Sequence, residues 1–209
     1  MDGFSDDFQR DLDRLMRWRR DVRRFRTDPV DEALVTRCLD TFGLAPSVGL
    51  SEPWRLLRVQ SDTARAAALA NFETANARAL AGYDGDRARR YSSLKLSGMR
   101  DAPVQLAVYC DEQTTKGHGL GAASMPEMRR CSVVGAVTQM WLAARAMGLG
   151  LGWVSVLDPD RLNRDLDAPR DWRLVAYLCL GWPEAVSQTP ELESQGWEHR
   201  APRLIIESR

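Results

Sequence analysis

The stretch Trp18-Arg-Arg-Asp-Val-Arg-Arg-Phe25 sets four arginines, Arg19, Arg20, Arg23 and Arg24, around one carboxylate, Asp21. Upstream, Phe4, Phe8, Leu12 and Leu15 or Met16 recur at helical spacing, so the arginines fall where an amphipathic helix is predicted to stop. Four guanidiniums within six residues repel one another, and the simplest stabilising partner is a polyanion. The planar arginine fork grips phosphate through two hydrogen bonds. The competing reading is a solvated basic helix end, since cations also suit a helix C-terminus.

Outward from this stretch, the pattern alternates helices with short strands. Asp31 is a predicted N-cap for a helix whose apolar face is Leu34, Val35, Cys38, Leu39 and Phe42, ended by Gly43. Pro46, Gly49 and Pro53 forbid a long regular element before Trp54–Val59, a predicted strand. Helices are predicted over 62–81 and 86–99, around the break Gly82-Tyr83-Asp84-Gly85. Pro103–Cys110 reads as a buried strand, and 114–126 as a glycine-bearing loop. The helix at 128–147 is apolar nearly all round, which predicts burial on most faces, a subunit interface included. Strands follow at Trp153–Leu157 and Leu174–Leu180, with a capped helix starting near Asp158-Pro159. The order predicts one α+β domain over 1–209, with a sheet between helical layers and a long tail from about 184 that extends over a partner.

Composition narrows the function. The 209 residues are 44% hydrophobic, enough for one sizeable core. Twenty-nine basic and 29 acidic side chains cancel, which argues against a general nucleic-acid or membrane-surface binder. No run of about 18 apolar residues appears, and the acidic start lacks a signal-peptide pattern, so a cytoplasmic protein is expected. Cys38, Cys110, Cys131 and Cys179 are far apart in apolar stretches, which predicts packed, reduced thiols. Two histidines make a histidine-rich metal centre a poor expectation, and no metal site is predicted. There is no Gly-x-Ser-x-Gly elbow, no phosphate loop and no strand-to-helix GxGxxG. What remains suits a large, flat, phosphorylated cofactor: arginines for its phosphate, backbone amides for the ring edge, apolar walls for the ring faces.

Seven stretches then carry a resemblance. They are Arg19-Arg-Asp-Val-Arg23, Ala45-Pro-Ser-Val-Gly49 with Pro53-Trp54, Leu94-Lys-Leu96, Ala102-Pro103, Trp141-Leu-Ala-Ala-Arg145, Gly152-Trp-Val-Ser155 and Ala176-Tyr-Leu-Cys-Leu-Gly181. In this order, from about Phe4 to Arg203, they resemble the flavin-dependent nitroreductase superfamily, and within it the 5,6-dimethylbenzimidazole synthase branch.

The resemblance implies a nitroreductase-like fold: a central antiparallel or mixed sheet flanked by helices, in a domain-swapped homodimer with two FMN sites at the subunit interface. It places the phosphate against Arg19, Arg20 and Arg23, with Val22 between them. Pro46, Ser47 and Val48 approach from the other subunit, Leu96 is a further contact with Lys95 beside it, and Gly152 and Trp153 border the flavin. Ordinary nitroreductases have serine where this chain has Asp21; the synthase branch has aspartate. Asp21 and Ser155 are then the catalytic pair, Asp21 as a base and Ser155 near the flavin N5. The implied reaction uses O2 to fragment reduced FMN, supplied by a separate flavin reductase, to 5,6-dimethylbenzimidazole, the lower ligand of cobalamin. Two other classes compete: an NAD(P)H-dependent nitroreductase or quinone reductase, and a flavin-binding module without catalysis. Asp21 argues against the former. Arg24 and Arg26 read as solvated surface charges, and Arg200 as either that or a phosphate contact from the tail. Three positions depart from the branch's pattern: Gly82, in the predicted lid, Ser51 and Glu52.

Overall fold

The computed structural model describes residues 3–94 and 98–209. Its centre is a four-stranded antiparallel sheet in the order β1-β2-β4-β3, built from β1 (Trp54–Arg58), β2 (Val104–Asp111), β3 (Gly150–Val154) and β4 (Trp172–Gly181). The central strands β2 and β4 pair with Leu106 opposite Leu178, and a bulge falls between Val108 and Tyr109. Both are covered on both faces, so they read as continuous apolar runs rather than alternating ones.

The pleat sorts their side chains into two cores. Leu106, Val108, Cys110, Ala176, Leu178 and Leu180 meet helices α2 (Glu32–Asp40) and α6 (Met128–Ala146) on one face. Ala107, Tyr109, Tyr177 and Cys179 meet α3 (Asp62–Ala81) and α7 (Pro159–Asp165) on the other. In α6, Val133, Val137 and Met140 are fully buried. Truncating one to alanine would cost about 1–5 kcal/mol in lost transfer energy and cavity. Val134, on the opposite side of α6, is 40% exposed. Three short helices complete the fold: α4 (Gly85–Ser93), α5 (Gly98–Asp101) and α8 (Glu191–Ser194). The first helix, α1 (Asp6–Trp18), buries none of its residues and exposes Phe4, Phe8, Leu12 and Met16 along its flank. Among the described residues no helix is long and apolar enough to cross a membrane.

The predicted caps are where the sequence puts them. Asp31 accepts from the Ala33 N–H at 2.8 Å, and Asp158 from the Arg161 N–H at 3.0 Å, with Pro159 opening α7. Three expectations are corrected. The predicted helix over 86–99 is two helices, because Leu94 is extended and Gly98 must tuck under the Phe25 ring, which lies 3.1 Å from where its β-carbon would stand. Strand β3 starts at Gly150 and ends at Val154, three residues earlier than the sequence pattern suggests. Cys131 is exposed on α6, unlike the three buried thiols. The first helix stops where the sequence predicts: α1 ends at Trp18 with Arg19 as its C-cap, and the arginine stretch runs on extended along the edge of the sheet.

Candidate active site

That extended run is where the site begins. The Arg19 N–H closes α1 on the Leu15 carbonyl at 2.8 Å, and the chain then docks on β3. Asp21 bridges Leu151 in parallel fashion, the Val22 N–H donates to the Leu151 carbonyl at 3.0 Å, and Phe25 bridges Pro183. The glycines of β3 make this possible. A β-carbon at Gly152 would stand 2.2 Å from the Val22 carbonyl oxygen, and one at Gly150 would stand 2.8 Å from the Val22 side chain. No larger residue lets the two backbones approach this closely.

Docking fixes Asp21. Its Oδ1 accepts from the Trp153 N–H at 2.9 Å and its Oδ2 from the Arg23 Nε–H at 3.2 Å. The carboxylate remains about one-third exposed (36%), while the Arg23 side chain is 14% exposed. Ser155 follows one residue after β3, exposed, and makes no side-chain hydrogen bond among the described residues. Asp21 and Ser155 line one open cleft. Its walls are largely apolar: Val22, Phe72, Val154, Val156 and Cys179. Burial, then the nearby Asp21 charge, raises the Cys179 thiol far above its ordinary range, so it is a neutral wall and not a nucleophile.

The other predicted residues divide by position. The Arg19 guanidinium lies over the Trp141 ring at 4.7 Å and pairs with no carboxylate among the described residues. The Trp141 indole in turn donates to the Arg20 carbonyl at 3.1 Å. Arg20 turns towards the tail and donates to the carbonyls of Gln188 at 2.7 Å, Arg19 at 2.5 Å and Arg17. Burial, then the charges of Arg200 and Arg19, lower its pKa. Arg24 pairs with Glu191 at 3.3 Å, and Arg26 with Asp28 at 2.9 Å. Pro46, Ser47 and Val48 do not line the cleft of their own chain. The Val48 N–H donates to Ser132 Oγ at 3.0 Å, and Ser47 Oγ accepts from the Glu52 N–H at 3.0 Å. Leu96, with Lys95 beside it, lies outside the described residues.

Residues 16–182 match the family described as the nitroreductase family. The chain belongs to the nitroreductase family. Within that family it is 53% identical over 203 residues to a 5,6-dimethylbenzimidazole synthase of Rhodospirillum rubrum, covering 97% of this chain and 96% of that one. It is 49% identical over 191 residues to a 5,6-dimethylbenzimidazole synthase of Rhodobacter capsulatus, covering 91% and 92%. Among solved structures it is similar in fold to an oxidized iodotyrosine deiodinase bound to FMN and 3-iodo-L-tyrosine. The TM-score is 0.72 at 21% identity, over 95% of this chain and 97% of that one. A nitroreductase-like protein of Streptococcus mutans has a TM-score of 0.70 at 16% identity, over 96% and 100%.

The cleft is also lined by residues that the sequence reading did not name as site residues: Phe72, Gly98, Val154, Val156 and Cys179. Phe72 was detectable in principle, as the lone aromatic of an alanine-rich helix. Cys179 was detectable from the pleat, since it shares a face with Tyr177. Nothing local marks Gly98.

Proposed function

We propose that this chain is a 5,6-dimethylbenzimidazole synthase, converting reduced FMN with O2 to 5,6-dimethylbenzimidazole, the lower ligand of cobalamin. It shares that reading with the two relatives at about half identity named above. The observation that carries it is the placing of Asp21 and Ser155 on one cleft, with Asp21 locked to the Trp153 amide.

The residues present fit a flavin mononucleotide. The cleft has apolar walls for a flat ring and few polar groups at its rim. Arg23 lines the cleft, and Arg19, with no carboxylate partner among the described residues, holds positive charge two residues from Asp21 for a phosphate. Reduced FMN, when bound, supplies both the carbon skeleton of the product and the group that reacts with O2. The remaining work falls to the chain. Val22, Phe72, Val154 and Val156 exclude water from the cleft. Asp21 accepts a proton at the carboxylate that Trp153 and Arg23 hold in place. The Ser155 hydroxyl, without a partner among the described residues, is available on the same cleft to donate a hydrogen bond to the bound flavin.

The active form is a homodimer in which Pro46, Ser47 and Val48 complete the partner's flavin site, and the tail from about 184 crosses the partner. The exposed flank of α1 and the exposed Val134 of α6 support that assembly, since each leaves apolar surface uncovered in one chain. The enzyme works in the cytoplasm with a separate flavin reductase as its supplier. The test mixes purified protein with excess chemically reduced FMN, admits air and seeks 5,6-dimethylbenzimidazole by liquid chromatography with mass detection. Product above a protein-free control is expected. Quantitative return of intact FMN would overturn the proposal, and NAD(P)H oxidation would then favour an ordinary nitroreductase.

A further inference from the structure

We propose that Asn71 of α3 is the positioning residue for Ser155. Its side chain is 1% exposed and does not line the cleft. Both ends of its carboxamide are spent on one distant backbone unit. The Asn71 Oδ1 accepts from the Asp158 N–H at 2.8 Å, and its Nδ2 donates to the Asp158 carbonyl at 2.9 Å. The pair of bonds fixes the amide's orientation, because a flipped amide would oppose donor to donor and acceptor to acceptor.

Asp158 is the far end of the turn that carries Ser155. The Leu157 N–H donates to the Ser155 carbonyl at 3.0 Å, and the Asp158 carboxylate caps α7 through the Arg161 N–H at 3.0 Å. Strand β3 ends at Val154, so the ladder with β4 stops before Ser155. The hydroxyl itself has no partner among the described residues. Its place at the cleft rim is therefore set by the backbone, pinned by β3 on one side and by Asn71 on the other. The neighbouring Phe72 walls the same cleft, so one turn of α3 both shapes the cavity and holds its serine. Aspartate at this position would lack the donor and set a carboxylate against a carbonyl. Leucine would have nearly the same volume and neither hydrogen bond.

This inference rests on the synthase reading, and its test follows the fraction of reduced FMN that becomes 5,6-dimethylbenzimidazole instead of returning as FMN. Asn71→Asp is expected to lower that fraction roughly ten- to a hundredfold, the effect of an ångström-scale misplacement, while flavin binding and a single melting transition persist. Residues acting as one unit are not additive, so Asn71→Asp with Ser155→Ala should convert no less than Ser155→Ala alone. Hydrogen exchange, read by mass spectrometry on Asn71→Leu, should show faster exchange at the Leu157 and Asp158 amides. If Asn71→Asp does not fold, Asn71→Ser, which keeps one donor and acceptor, is measured the same way. Wild-type yield in the folded variant, a double mutant that loses the product of both factors, or unchanged exchange would each overturn the inference. A wild-type protein that returns all its flavin as FMN defeats the synthase reading itself, a result separable from these.

Discussion

Replacing Gly152 with alanine puts one methyl group where the arginine segment meets the sheet. The new β-carbon would stand 2.2 Å from the Val22 carbonyl oxygen, whereas ordinary contact begins near 3.4 Å. The obstacle is backbone, so no side chain can rotate away; the segment must retreat by about 1 Å. Two hydrogen bonds lengthen with it: Val22 N–H to Leu151 at 3.0 Å, and Trp153 N–H to the Asp21 carboxylate at 2.9 Å. A neutral bond contributes about 0.5–1.5 kcal/mol and one to a charged group about 1.5–3. Because Asp21 is partly solvated, the total is about 2–4 kcal/mol. In a chain of this length that lowers Tm by roughly 5–15 °C. Moving Asp21 by about 1 Å should also cut product yield by on the order of a hundredfold. Gly150→Ala is the graded comparison: its new methyl would stand 2.8 Å from the Val22 side chain, a milder overlap than 2.2 Å from a backbone oxygen, so the damage should be smaller. Calorimetry and product analysis on the two variants decide the matter. A Gly152→Ala protein that melts within about 2 °C of wild type and keeps its yield would refute the claim that close backbone approach builds the site.

Three further outcomes are expected. Asp21→Asn keeps an oxygen for the Trp153 amide but loses the proposed base, so product should fall by roughly 10²- to 10⁴-fold while FMN titration shows binding largely retained. Ser51 is 2% exposed and its hydroxyl has no partner among the described residues, so Ser51→Ala should raise stability by about 1 kcal/mol, seen as a higher denaturant midpoint at unchanged slope. Trp197 of the tail packs on Tyr83 at 5.6 Å and Tyr91 at 6.1 Å, so Trp197→Ala should expose the tail to limited proteolysis about tenfold faster; equal rates would mean that this cluster does not hold it.

Much of the fold was legible from local chemistry. Asp31 and Asp158 announce their helices because a cap is a contact within three residues, and α3 runs over the predicted range because its caps and alanines agree. The strands β2 and β4 were visible as apolar runs, but not their adjacency, which depends on pairings across some seventy residues. In the sequence Gly150 and Gly152 directly follow an apolar helix and precede the apolar run at Trp153. Their use as a landing strip for Val22 has no local signature, so β3 was placed too late. Asp21 and Ser155 came from family resemblance, and geometry brought them to one cleft. Arg20 was read as equivalent to its neighbours, yet an extended chain alternates its side chains, and Arg20 faces the tail. Asn71 stayed unnoticed because its meaning lies in a partner 87 residues away.

The Asp21–Trp153 bond joins residues 132 apart in the chain. During synthesis at roughly 5–20 residues per second, the basic segment therefore waits on the order of ten seconds for the strand that receives it. Until then it is a bare polycation, able to attract any passing polyanion. The proposed flavin site thus exists only once β3 has been made, and a nascent or truncated chain ending before β3 holds its arginines but not the strand that docks them.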